Sequence, residues 1–291
     1  MAGIRELRGR IKSVGNIKQI TRAMEMVATT KLRRFQDRAV ASRPYAQEIA
    51  GLVGRLSAVL GDSVADRPLF RMGNAEHTAV LLVSSDRGLC GAYNANLFRS
   101  LEEWVAERGS KDDLRFFVYG RKGYQYLTSR GFEVERFLVE PPLEEVDFNN
   151  AAHTANLLRA AFEGGQFREV RIFYTAFETM VRYVPTNTPF LPVSSEELGA
   201  DAGGSGGDVL LEPDPETIFD SLIPRYLETK VYNALLEALT SEYASRRFSM
   251  KNATDAASDM QKSLKKVYNR KRQENITKEL LDIVGGAEAV S

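Results

Sequence analysis

Apolar residues near the start of the chain fall at Ile4, Leu7, Ile11, Val14, Ile17, Ile20, Met24 and Val27. Steps of three or four lay such residues along one stripe of a helix. Neither Gly nor Pro interrupts Asn16–Arg43, and Pro44 reads as a kink or a break. Near the other end, Asp214-Pro215-Glu216 suits an N-cap, a first-turn proline and an early acid. Pro224 is expected to kink the turns that follow. From Arg225 to Val284 there is neither Gly nor Pro, and Gly285-Gly286 then supplies a stop. A helix of that length spans about 90 Å at its usual rise. A compact globule of this chain length is roughly 50 Å across. The helix therefore breaks or projects as a rod. Between Gln261 and Asn275 only Leu264, Val267 and Tyr268 are apolar. They suffice for a narrow seam against one other helix, not for a core. The N-terminal stripe is the natural partner, so the two chain ends are expected to form a coiled coil. The pattern leaves its direction open.

The middle alternates. His77–Ser84, Leu114–Tyr119 and Glu169–Phe177 read as strands, and Asn94–Glu107, Lys122–Arg130 and Asp147–Glu163 as helices. Such alternation predicts a mostly parallel sheet with covering helices. The run Gly203–Gly207 (GGSGG) reads as a flexible linker before the long helix. The expected organisation is an α/β protein in three segments. Residues 1–60 are a shaft helix, 61–212 an inserted Rossmann-like α/β domain, and 213–291 a second, longer shaft helix.

Charge refines this picture. The chain of 291 residues balances 39 basic against 39 acidic side chains. Residues 1–60, however, hold 12 Lys/Arg and 4 Asp/Glu, whereas residues 61–215 hold 15 and 24. Within Arg246–Arg272 nine basic residues face only Asp255 and Asp259. Basic ends around an acidic middle point to an acidic partner or to nucleic acid. Cys90 is the single cysteine and His77 and His153 are the only histidines, which excludes a disulfide framework and Cys-based zinc clusters. The longest aliphatic run, Ala79–Val83, is far short of a membrane span. The basic start lacks the apolar stretch of a secretory signal, so the sequence reads as mature protein of a reducing compartment.

Candidate chemistry is sparse. Ser84–Asn94 (SSDRGLCGAYN) links a strand to a helix, the setting of a phosphate-binding turn. Gly88 and Gly91 do not make a dinucleotide fingerprint, and no P-loop is present. A tight strand-to-helix connection capped by Asp86 or Asn94 is the plainer reading. Cys90 near a helix start is a conceivable nucleophile, but no histidine base is set beside it in sequence, and a buried structural thiol is the plainer reading. Lys262, Lys265, Lys266, Arg270, Lys271 and Arg272 resemble a nucleic-acid helix in charge alone. No carboxylate pair stands in a catalytic context. A nucleotide-binding α/β enzyme and a nucleic-acid-binding coiled coil remain the competing readings.

Three motifs in order resemble the gamma subunit of F-type ATP synthases. They are Ile20–Ala28 (ITRAMEMVA) with Lys31-Leu32-Arg33-Arg34, then Ser85–Gly91 (SDRGLCG), then Tyr268–Gln273 (YNRKRQ) followed by Ile276–Leu280 and Ile283–Ala287. Ala256, Lys266 and Glu274 depart from the family pattern and make the shaft more polar. The resemblance implies a rotating shaft inside a ring of alpha and beta subunits, with a foot that meets the epsilon subunit and the c-ring. It implies coupling of proton flow to ATP synthesis or hydrolysis with no active site, cofactor, metal or nucleic acid of its own. It also implies a peripheral position on the cytoplasmic face of a bacterial inner membrane or an equivalent membrane. The residues expected to meet the ring are Ile17, Met24, Arg33, Arg34, Arg246, Lys251, Arg270, Arg272, Gln273, Thr277, Ile283 and Val284. Glu212 is expected at the foot.

Overall fold

The computed structural model describes residues 3–194, residue 198 and residues 214–288. The linker Gly203–Gly207 and Glu212 lie outside the described residues. Helix α1 is Ile4–Leu60 and helix α5 is Pro215–Glu288. Between them come β1 (Thr78–Val83), α2 (Tyr93–Arg108), β2 (Leu114–Tyr119), α3 (Arg121–Ser129), β3 (Val134–Leu138), α4 (Phe148–Glu163), β4 (Glu169–Phe177) and β5 (Tyr183–Leu191). The chain divides into two compact units, one of Met1–Thr29 with Arg246–Ser291, the other Thr30–Ser245. Both long helices contribute to both units.

The larger unit holds the sheet. Its order is β3-β2-β1-β4-β5, parallel throughout except for antiparallel β5. The expected mostly parallel sheet is present. β1 (TAVLLV) is buried at every position, as a parallel strand covered on both faces must be. On one face Val80, Leu82, Phe116, Val118 and Phe173 meet Leu97 and Leu101 of α2 and Leu127 of α3. Tyr119 reaches Thr154 of α4 at 2.7 Å. Asp147 caps α4 through the Asn150 N–H at 2.9 Å, and Asn150 answers to the Asp147 N–H. β3 and β5 escape the sequence pattern for a physical reason. β3 is an edge strand with Glu135 and Arg136 exposed, and β5 carries Pro185 and Pro189, which only an edge position tolerates.

α1 runs on through Pro44, so of the kink or break expected there the break does not occur. Beyond the proline the helix buries Ile49, Val53 and Leu56, and Tyr45 meets Phe148 edge-on. This burial outweighs one lost backbone bond. Pro224 is likewise internal to α5, between buried Ile223 and Leu227. Asp214 caps α5 as predicted, accepting from the Thr217 N–H at 2.9 Å, and its carboxyl is held below its ordinary pKa by that bond. Gly285-Gly286 does not end the helix, which continues to Glu288. A glycine costs a helix only about 1 kcal/mol and needs a left-handed turn to stop it.

In the smaller unit the two helices run antiparallel. Arg8 donates to Tyr268 at 3.0 Å, Lys18 to Ser258 at 3.0 Å and Thr254 to Thr21 at 2.8 Å. Residue numbers rise on one helix as they fall on the other, which fixes the direction that the pattern left open.

Candidate functional site

In open α/β sheets ligands sit outside the carboxyl ends of the strands, where the strand order reverses. Here the strand order reverses between β1 and β4, and the turn that leaves β1 is tightly packed against its neighbours. Ser84 donates to Tyr119 O at 3.1 Å and accepts from the Gly123 N–H at 2.7 Å. Gly120 has φ +92° and passes so close to the Ser84 carbonyl that a Cβ would overlap it. Tyr93 donates to Ala238 O of α5 at 3.2 Å, and Ser245 of α5 to Cys90 O at 2.6 Å. Ser84, Ser85, Cys90 and Tyr93 are buried. The long helix thus packs directly on the turn that leaves β1.

The Gly88–Gly91 turn is accordingly a connection. Its expected caps are redistributed. Asn94 does not cap α2 but bonds Ser85, accepting from its N–H at 3.2 Å and donating to its Oγ at 2.7 Å. Asp86 accepts from the Arg121 N–H at 3.1 Å and so caps α3 instead. Cys90 is a buried thiol contacted by the Asn94 amide at 3.4 Å. No group of His, Cys, Asp or Glu able to hold a metal occurs among the described residues.

Charged clusters here are structural. Glu144 takes bonds from Lys31 and Tyr243. Burial pushes its pKa up, but those two bonds and nearby Arg87 hold it below the ordinary value. Glu169 is bound by Arg108 at 2.8 Å, which also holds Asp113 at 2.9 Å and Thr78 at 2.6 Å. Glu237 has the opposite balance. Burial raises its pKa, and the Phe177 N–H and Arg43 offset this only in part.

The outward face carries the remaining chemistry. Ile17 is 52% exposed, Ile283 68% and Val284 58%. Arg33, Arg34, Lys251, Arg270, Arg272, Gln273 and Thr277 are exposed. Arg270 pairs with Glu274 at 3.3 Å along its own helix. Met24 is half-buried, and Arg246 is only 8% exposed and engaged within the chain, so each offers less free surface than its neighbours.

The expected seam needs correction. Ile4, Leu7, Ile11 and Val14 lie in it, but Ile17, Ile20 and Val27 face outward, while Lys18, Thr21 and Ala28 take the inner positions. The cause is angular. A residue advances 100° around a helix, so each three-residue step lags the seam by about 60°. Three such steps from Ile11 to Ile20 carry the stripe to the opposite side. Val267 leaves the seam in the same way, three residues after Leu264. Ile20, Val27 and Met26 are exposed apolar residues on that outward side, and Met260, Leu280 and Leu281 are exposed as well. The angular count would have found the first three.

A family model described as ATP synthase matches residues 3–290. The chain is 42% identical over 314 residues to the ATP synthase gamma chain of Mycolicibacterium gilvum, with 100% of this chain and 98% of the relative covered. It is 40% identical over 307 residues to that of Mycobacterium tuberculosis, with the same coverage of 100% and 98%. Its fold resembles a chain in the cryo-EM structure of Euglena gracilis mitochondrial ATP synthase, OSCP/F1/c-ring, with a TM-score of 0.66 at 20% identity over 99% of this chain and 94% of that one. A chain of the Tetrahymena thermophila mitochondrial ATP synthase central stalk and c-ring aligns with a TM-score of 0.58 at 24% identity, covering 80% of this chain and 99% of that one. Matching along nearly its whole length, the chain belongs to the ATP synthase gamma chain family.

Proposed function

We propose that this chain, a non-catalytic gamma subunit of an F-type ATP synthase, turns as the central stalk inside a ring of alpha and beta subunits. It couples transmembrane proton flow to ATP synthesis or hydrolysis at the beta subunits. The observation that carries this reading is the outward face of the antiparallel helix pair, where apolar and basic side chains stand exposed around a polar seam. A rotor must meet similar subunits in turn without settling on one. A dry apolar interface would hold one orientation, whereas exposed polar contacts exchange with water between positions. Arg33, Arg34, Lys251, Arg270, Arg272, Gln273 and Thr277 supply such contacts. Ile283 and Val284 supply a slippery apolar end. Ile17 and the edge of Met24 add apolar contacts lower on the pair, and Arg246 acts mainly by holding the helix that presents them. A shaft that differs from side to side gives each beta subunit a different affinity at one instant, which is allosteric coupling by differential contact.

The epsilon subunit and the c-ring are the partners at the foot, with Glu212 as one contact. The subunit sits on the membrane as part of the F1 portion, and the face we propose for it in a bacterium is the cytoplasmic one. No helix among the described residues is long and apolar enough to cross a membrane.

The test is rotation. The full chain, with Glu107→Cys as the attachment point for a bead, is reconstituted with alpha and beta subunits fixed to a surface. ATP is expected to drive stepwise motion of the bead in one direction. A ring that hydrolyses ATP around a stationary chain overturns the reading, as does ATP hydrolysis by the chain alone.

A further inference from the structure

A cavity of about 440 Å³ lies inside the larger unit, walled by α1, β4 and α5. That volume suits a small organic molecule. Ala39, Val40, Leu236 and Phe177 give it apolar walls. Val40 is 59% exposed, so one of these walls reaches solvent.

The polar atoms left available in the lining are mostly acceptors. Thr240 spends its hydroxyl hydrogen on the Leu236 carbonyl at 2.7 Å, which leaves the lone pairs of its oxygen. Gln36 directs its amide nitrogen to the Met180 sulfur at 3.2 Å, which leaves its amide oxygen. Asn233 is engaged with Ser42 at 3.1 Å. Glu237 is the single carboxylate of the lining. It is half-buried and accepts from the Phe177 N–H, and Arg43 acts on it only through space. Arg43 itself is exposed. A half-buried carboxylate without a close cation is costly, and burial raises its pKa.

We infer that this cavity binds a small organic cation with an apolar body, of the class of an aryl amidine. The planar amidinium offers two parallel N–H donors to the Glu237 carboxylate, and such charge-assisted pairs are the strong ones. Its outer N–H groups have the oxygens of Thr240 and Gln36 to meet, and its ring has Phe177, Leu236 and Val40. A neutral ligand leaves the carboxylate unpaired, and an anion meets it with like charge. A metal ion finds no ligand cluster among the described residues. The cavity is formed within one unit of this chain alone, so the inference does not depend on the rotor reading.

The test titrates benzamidine into the full chain by calorimetry. A dissociation constant on the order of 0.1–1 mM is expected for so small a ligand. Benzamide, of the same shape but neutral, is expected to bind at least about tenfold more weakly. Glu237→Gln is expected to weaken benzamidine by at least about tenfold and to leave benzamide little changed. Val40→Trp, at an exposed position, is expected to weaken both by obstructing the cavity. Arg43→Gln removes a like charge and is expected to tighten benzamidine about two- to threefold. Affinity for benzamidine is expected to rise as pH rises through the raised Glu237 pKa, since the cation pairs with the ionised form. Arg43 from α1 and Tyr174 from β4 are the groups that act on Glu237 there, and burial keeps Tyr174 neutral through that range.

No saturable binding of benzamidine to the unmodified chain overturns the inference. So does equal affinity for benzamide, or full binding retained by both Glu237→Gln and Val40→Trp. Binding that disappears once the chain is assembled with alpha and beta subunits assigns the cavity to a partner and overturns it as well. Rotation and benzamidine binding are read separately, so the rotor reading and this site fail separately.

Discussion

The two compact units of this chain are held by different forces, although the same two helices contribute to both. In the larger unit α5 buries Phe219, Ile223, Leu227, Val231, Leu235 and Leu239, and the central strand β1 is buried throughout. In the smaller unit the same helix buries, among the described residues, only Arg246, Met250, Thr254 and Ala257. There the helices meet through a Thr–Thr hydrogen bond and a Lys–Ser hydrogen bond instead. Close packing forfeits free energy when any atom is removed. Exposed polar contacts exchange with water and forfeit little. One unit is built to stay as it is, and the other to meet partners through its surface.

The largest test of this contrast is a pair of glycines. Gly120→Ala forces a Cβ onto the Ser84 carbonyl from a residue at φ +92°. Neither backbone segment is free to yield, so the soluble folded yield is expected to collapse. Gly15→Ala meets only the end of the Gln261 side chain. That end swings aside, and the gain in helix propensity is expected to raise stability by up to about 1 kcal/mol. Similar losses at both sites, measured by expression and denaturant unfolding, would erase the distinction between the units.

Next comes side-chain truncation. Phe173→Ala, in the sheet core beside Trp104, is expected to cost about 3–5 kcal/mol. Leu264→Ala in the half-buried seam is expected to cost under about 1 kcal/mol. Urea titrations of the two variants decide it.

Acid titration separates two carboxylates within the larger unit. Glu144 has a lowered pKa in the fold, so its contribution is present above the unfolded value and is lost as pH falls through the folded one. Glu144→Gln is expected to cost about 1–2 kcal/mol at pH 7, converging with the unmodified chain in acid. Glu237 has a raised pKa, so the fold favours its neutral form and loses stability as pH rises through that value. Glu237→Gln is expected to stabilise at pH 7, with the gain vanishing below the unfolded value. Thermal unfolding at several pH values would show differences of opposite sign. The same sign for both would mean that burial does not control Glu237.

The smallest effect belongs to the seam. Thr21→Val with Thr254→Val removes both ends of the 2.8 Å bond. Because no group is left unpaired, stability is expected to shift by less than about 0.5 kcal/mol in either direction. A loss near 2 kcal/mol would mean that the seam depends on that bond.

The legible part of this protein was periodic. Unbroken helix patterns, the Asp214 cap and the strands β1, β2 and β4 follow from local preference, which needs no knowledge of neighbours. β3 and β5 were not legible, because their polar and proline-bearing positions suit only a sheet edge. The outward turn of Ile17, Ile20 and Val27 was legible in the angular spacing of the residues, yet adding up steps of three or four conceals it.

Alone, the sequence determined the two long helices, the alternating insert, the regional charge and the three family motifs, since each depends on residues close together in the chain. Tertiary structure decided the rest. It set the direction of the helix pair, the use of Asp86 at the start of α3, the packing of α5 on the turn after β1, and the gathering of Lys265 with Arg8, Lys12, Lys18 and Arg22 into one groove. Each of these depends on which distant surfaces meet, and only the folded chain specifies that.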